Sequence, residues 1–222
     1  MAIVVTALGT ARDKAATNPW TPFSSITLAA GETLILCQAS DWPSAINEIE
    51  IKWNNIALTE NVEIENSGNV ASEVWSLYSA GGGTGNVVIT GAFGRPTAAA
   101  VALYKVSGLA SSSFDKSATA IGSDTVPSSG QTAALAQADE LLVGAIGTEG
   151  PNGDAAGSWD TGTNQTTDNN QRLGTTGAGA VSNITVAAAT KIVSATTGGI
   201  ASKNSITSRD WAAAIATYKA VA

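Results

Sequence analysis

"EIEIKWNNIALTENVEIE", Glu48 to Glu65, is the stretch whose reading decides the fold. Ile49, Ile51 and Trp53 alternate with Glu48, Glu50 and Lys52, so apolar side chains recur at every second residue. Only an extended chain gathers such residues on one face, because successive side chains of a strand point to opposite sides. Asn54-Asn55 tolerates the left-handed backbone of a tight turn. Val62 and Ile64 then alternate with Glu63 and Glu65. Two alternating runs about a short turn predict a hairpin.

Working outward, further strands are expected at Ile3–Leu8, Ser25–Leu28, Thr33–Gln38, Val70–Tyr78, Asn86–Thr90, Ala98–Val106, Glu140–Ile146, Val181–Ala187, Lys191–Ala195 and Trp211–Tyr218. Gly, Asn, Asp, Ser and Pro stand between most of them, which is turn chemistry. No crossover helix is visible. The sequence therefore predicts an all-β protein, an antiparallel β-sandwich of jelly-roll type with about 10–12 short strands. It reads as a single domain over 1–222, with a possible subdivision near 123–133. The polar run from Gly147 to Gly179 reads as one long loop, a length that usually marks function or disorder.

"AAAVALYKV" (Ala98–Val106) and "AAAIATYKA" (Ala212–Ala220) are rich enough in alanine to be helices, but both read as strands. The first is fed by Gly94 and Pro96 and ends at Ser107-Gly108, too short a span for a stable helix. The two share the pattern Ala-Ala-Ala-x-Ala-x-Tyr-Lys at an offset of 114 residues. Nothing in the flanking sequence repeats, so the match reads as convergence of two inner strands. Alanine faces also let two sheets approach closely.

Composition narrows the chemistry. Charged residues are 13% of the 222-residue chain, about half the usual fraction of roughly 25%. The net charge is −7 and no two basic residues are adjacent. Phosphate backbones and anionic membranes need a basic footprint, so neither nucleic acid nor membrane is expected as a partner. "MAIVVTALGTARDK" is a poor signal peptide, and no apolar run approaches a membrane span in length. Histidine is absent and Cys37 is the one cysteine. That removes Ser-His-Asp and Cys-His catalysis and the usual zinc sites. Cys37, inside "ETLILCQA", reads as a small buried hydrophobe.

Glycines 81–83 and 85 in "SAGGGTGNVVITG" invite comparison with a phosphate loop. No Lys-[Ser/Thr] follows, and the β-branched run after them is a strand rather than the helix such a loop requires. The glycines read as a turn. Glu48, Glu50, Glu63 and Glu65 are the one carboxylate cluster a glycosidase could use, and their alternation assigns them to a solvated face. Asp154, Asp160 and Asp168 lack calcium-loop spacing. No catalytic residue, metal ligand or cofactor site is therefore expected.

Trp53, Trp75 and Trp211 fall in strand patterns as core residues. Trp20, Trp42 and Trp159 lie beside prolines or in polar sequence. They are the expected contact residues, either for a subunit interface or for stacking on a sugar ring. A carbohydrate-binding or lectin-like module is the alternative this second use implies, with a glycan as ligand.

Three segments, "SEVWSLYSAGGGTGNVVITG" with "TAAAVALYKVSGL", "ADELLVGAIGTEGP" and "SRDWAAAIATYK", resemble jelly-roll structural proteins of tailed bacteriophages. The resemblance runs from Val70 to Ala222 and rests on rhythm, not on a catalytic motif. It implies a virion location and a role in capsid decoration (cement), a head fibre or a tail. The implied partners are copies of the chain itself, as a homo-oligomer such as a trimer, and a major capsid or tail protein. It transfers no functional residue.

Overall fold

The computed structural model describes residues 2–14, 18–41, 49–91, 98–177, 179 and 181–222, which contain seventeen strands and no helix. The first nine strands are β1 (Val4–Lys14), β2 (Trp20–Leu28), β3 (Glu32–Asp41), β4 (Ile49–Trp53), β5 (Ile56–Ala57), β6 (Thr59–Asn66), β7 (Val70–Ser79), β8 (Gly83–Gly91) and β9 (Ala98–Ser107). The other eight are β10 (Leu109–Gly122), β11 (Ser128–Gln131), β12 (Asp139–Glu149), β13 (Ala156–Trp159), β14 (Asp168–Gly174), β15 (Ile184–Ser194), β16 (Ile200–Ile206) and β17 (Trp211–Ala220).

The pairing is that of a long hairpin rolled on itself. β1 pairs with β9, β2 with β8, and β3 with β7, all antiparallel, and the cross-pairs β3–β9 and β4–β8 close the roll. The second half repeats the scheme with β10–β17, β11–β16 and β12–β15, closed by β12–β17 and β13–β16. Two sheets of five, ordered β1-β9-β3-β7-β6 and β10-β17-β12-β15-β14, form the middle of the molecule. Sheets ordered β2-β8-β4-β5 and β11-β16-β13 cover their outer faces. Each half is thus a jelly roll. The all-β sandwich expected from sequence is observed, with seventeen strands in place of about 10–12.

The two five-stranded sheets bury one core between them. Ile35, Cys37, Ala98, Ala100, Ala102 and Tyr104 meet Leu141, Val143, Ala188, Ala212, Ala214 and Ala216. Smaller cores lie on the outer faces: Leu36, Trp75 and Leu103 against Ile51, Trp53 and Val87, and Leu142 and Ile215 against Ala201. A central strand is therefore buried on both sides, and β3, β9, β12 and β17 read as continuous apolar runs. An outer strand such as β4 has one wet face and keeps its alternation. Asn54 and Asn55 turn β4 into β5 with φ of 49° and 63°, the primed hairpin geometry. The chain then crosses to the next layer, so β6 pairs with β7 rather than with β4.

The two alanine motifs hold equivalent places in the fold. β9 and β17 occupy the same place in the two sheet orders, and the halves pack symmetrically. β7 lies against β17 as β15 lies against β9, and β6 meets β10 as β14 meets β1. The motif tyrosines follow the same symmetry. The Tyr104 hydroxyl donates to the Asn169 carbonyl on β14 at 3.0 Å, and the Tyr218 hydroxyl to Asn61 Oδ1 on β6 at 2.7 Å. The chain is an internal pair of jelly rolls joined face to face, an isologous contact within one polypeptide.

Three local readings gain detail. The segment 147–179 is not one loop, since it carries β13 and β14. Residues 123–133 hold β11, while the passage from one half to the other falls at Gly108. The glycine run links β7 to β8 in a different sheet. A Cβ at Gly82 would lie 2.9 Å from the Leu28 carbonyl oxygen, and one at Gly85 would collide with Asn54. Glycine serves close approach there.

Candidate functional site

The three tryptophans proposed as contacts are not gathered into one place. Trp20, on β2, is half-buried and packs against the outer core of the first half. Trp159, at the end of β13, is half-buried on the outer side of the second half. Trp42 lies outside the described residues.

Trp159 marks a cluster that the sequence does not advertise. The Lys203 ammonium sits 4.8 Å from the centroid of its indole ring, a cation–π contact. Lys203 is buried, and Arg172 lies close enough to oppose its charge. Burial first, and Arg172 second, pull its pKa down to about 8. Arg172 donates to the carbonyls of Asn152 and Asp154 at 3.0 and 3.1 Å, and Arg209 Nε meets Asp154 Oδ2 at 2.8 Å. The cavity among these groups is about 20 Å³, room for one water. The cluster pins the Asn152–Asp154 turn to β14 and to the β16–β17 connection. Three cations from three segments converge although no two adjoin in sequence.

The carboxylate cluster is divided by the fold. Glu50 lies on β4 in an outer sheet, where it pairs with Lys52 at 2.7 Å, and Glu63 and Glu65 lie on β6 in a central one. Glu48 lies outside the described residues. Glu63 is not on a fully solvated face, because its cross-strand partner is the fully buried Glu73. Burial, with Glu60 and Glu65 nearby, pushes Glu63 up to about 7. Burial pushes Glu73 up to about 8, although the Trp75 indole donates to its Oε2 at 2.6 Å. The three loop aspartates are each engaged: Asp154 by Arg209, Asp160 by Asn204, and Asp168 by Lys191. Among the described residues no group of three or more Cys, Asp or Glu side chains is placed to hold a metal.

The described surface also presents unpaired strand edges and a few exposed apolar side chains. β1 and β10 hold equivalent edge positions and have a ladder partner on one side only. Edges of this length are normally defended by charge. β10 spends its two charges on each other, Lys116 Nζ meeting Asp115 Oδ1 at 2.8 Å, and exposes Ile121. At the other end of the seam between the halves, a cleft of about 270 Å³ is lined by Ala2, Ile3, Asp139, Ile192 and Ala220. Ile192 is 47% exposed, and Val221 continues the apolar surface past Ala220. This cleft and the two edges are the candidate contact site.

No protein-family model matches the chain, and no curated protein does. Among solved structures, a chain of Red Clover Necrotic Mosaic Virus is similar over 99% of this chain and 97% of its own length, at 9% identity and a TM-score of 0.25. Likeness at that level carries no weight for fold or function.

Proposed function

We propose that this chain is a non-enzymatic structural protein of a virion, of the capsid-decoration or cement kind found in tailed bacteriophages. It works by covering its open edge strands and the Ile192 cleft against copies of itself and a shell or tail protein. The observation that carries this reading is the cleft lined by Ala2, Ile3, Asp139, Ile192 and Ala220, where Ile192 is left 47% exposed. Exposed apolar surface in a cleft marks association, and an edge strand such as β10, whose two charges pair with each other, offers backbone groups to a further strand. Two rolls joined through an alanine-lined core give a stiff body whose outer surfaces are free to bear contacts. Co-pelleting with phage particles tests the shell contact. The chain should sediment with particles lacking it and raise the temperature at which they release nucleic acid. A chain that stays in the supernatant and leaves that temperature unchanged contradicts the reading.

A further inference from the structure

A second cleft lies where β3, β6 and β7 of the first half meet β10 of the second. It measures about 300 Å³, at the lower end of the range of small-ligand sites. Its walls include Thr33, Asn61, Ser76, Tyr78, Ser111 and Phe114, and no charged side chain is among its described lining residues. Such a surface has little to offer an ion or a phosphate. Hydroxyls and amides both donate and accept, which is what a ligand rich in hydroxyls demands.

Two details show a site prepared for such a ligand. Thr33 Oγ1 is buried and has no hydrogen-bond partner, a state that costs about 1–3 kcal/mol unless something entering the cleft supplies one. Asn61 receives the Tyr218 hydroxyl on its Oδ1, which leaves its NH2 donors uncommitted. Phe114 is braced edge-on against Tyr218, with ring centroids 6.3 Å apart and planes at 65°. It still exposes 39% of its surface, an apolar plate beside the hydroxyls.

The internal symmetry supplies a control. Leu34 pairs with Lys105 and Leu77, and Glu140 pairs with Lys219 and Val193. With Lys105 and Lys219 matched by the motif, Thr33, Ser76 and Tyr78 correspond to Asp139, Ile192 and Ser194. The corresponding region of the second half is the cleft lined by Asp139 and Ile192. The equivalent positions carry a carboxylate at Asp139 and an isoleucine at Ile192, so the fold does not by itself require the hydroxyl lining.

We propose that the cleft bounded by β3, β6, β7 and β10 binds a neutral carbohydrate, its C–H face on Phe114 and its hydroxyls on Thr33, Asn61, Ser76 and Tyr78. The site is separate from the Ile192 cleft and stands whether or not the chain belongs to a virion. Saturation-transfer NMR on the full chain, with the methyl glycosides of glucose, galactose, mannose and N-acetylglucosamine as probes, tests it. At least one probe should receive saturation on its ring C–H protons. Phe114→Ala and Thr33→Val should each weaken that binding about tenfold while thermal unfolding shows both variants folded. Ile192→Ala should leave it unchanged. No transfer to any probe at millimolar concentration overturns the proposal, as does binding that survives both substitutions or depends on Ile192.

Discussion

Glu73 and Lys203 are the side chains whose burial works most directly against their own charge. Glu73 rises from an ordinary value of 4.5 to about 8, and Glu63 opposite it to about 7. A carboxyl that holds its proton more tightly folded than unfolded favours folding at low pH. That contribution is complete below pH 4.5 and is lost as pH climbs through about 8. Lys203 moves the other way, from 10.5 to about 8. Its penalty is absent above pH 10.5 and grows as pH falls through about 8. Stability should therefore pass through a minimum near pH 8, as read by urea midpoints across the range. Glu73→Gln should reduce the acid-side slope, leaving the share carried by Glu63, and Lys203→Met should remove the alkaline one. A flat profile in the parent chain would contradict both assignments. Neither residue stands out in the sequence: Glu73 follows the alternation of an ordinary strand, and Lys203 becomes buried only because β13 and Trp159 fold over it.

At the scale of elements, what was legible depended on which layer a strand occupies. β4 showed itself by alternation because one face is wet. β3, β9, β12 and β17 showed themselves as apolar runs because both faces are covered. β13 and β14 offered neither signal. "AGSW" is short, and "DNNQRLG" is a polar edge strand held by pairing with β15. The internal symmetry was hidden for a related reason, since equivalence resides in ladder register rather than side chains, and Leu34 corresponds to Glu140 as Ser76 does to Ile192. The candidate cleft was equally invisible, because Ala2, Ile192 and Ala220 come from three distant segments. The alanines of β9 and β17 carry a prediction here. Ala214 is fully buried at the centre of the shared core, where added methylenes must displace the facing sheet. Ala214→Leu should cost about 1–3 kcal/mol, measured by chemical denaturation. An unchanged midpoint would mean that the two sheets are not tightly packed there.

Over the whole molecule, the halves share their largest core and are stitched at their edges. Asn66 on β6 donates to the carbonyls of Gly122 and Trp211 at 2.8 and 3.1 Å, and Lys14 on β1 reaches Asn183 at 3.2 Å. Neither half can open without exposing the alanine faces of both. Thermal unfolding by calorimetry should accordingly give one cooperative transition, whereas two resolved peaks would show independent halves. Asn66→Ala should lower stability by about 1–3 kcal/mol by leaving carbonyls of the second half unpaired, and should keep the transition single.

The proposed role needs the apolar cleft to be covered by another subunit. Sedimentation velocity on the parent chain and on Ile192→Lys tests that most directly. The parent chain should sediment as an oligomer. The variant should sediment as a folded monomer, with an unchanged far-UV circular dichroism spectrum, since Ile192 is 47% exposed on the isolated chain. A parent chain that remains monomeric at every concentration, or a variant that associates as the parent does, would contradict it.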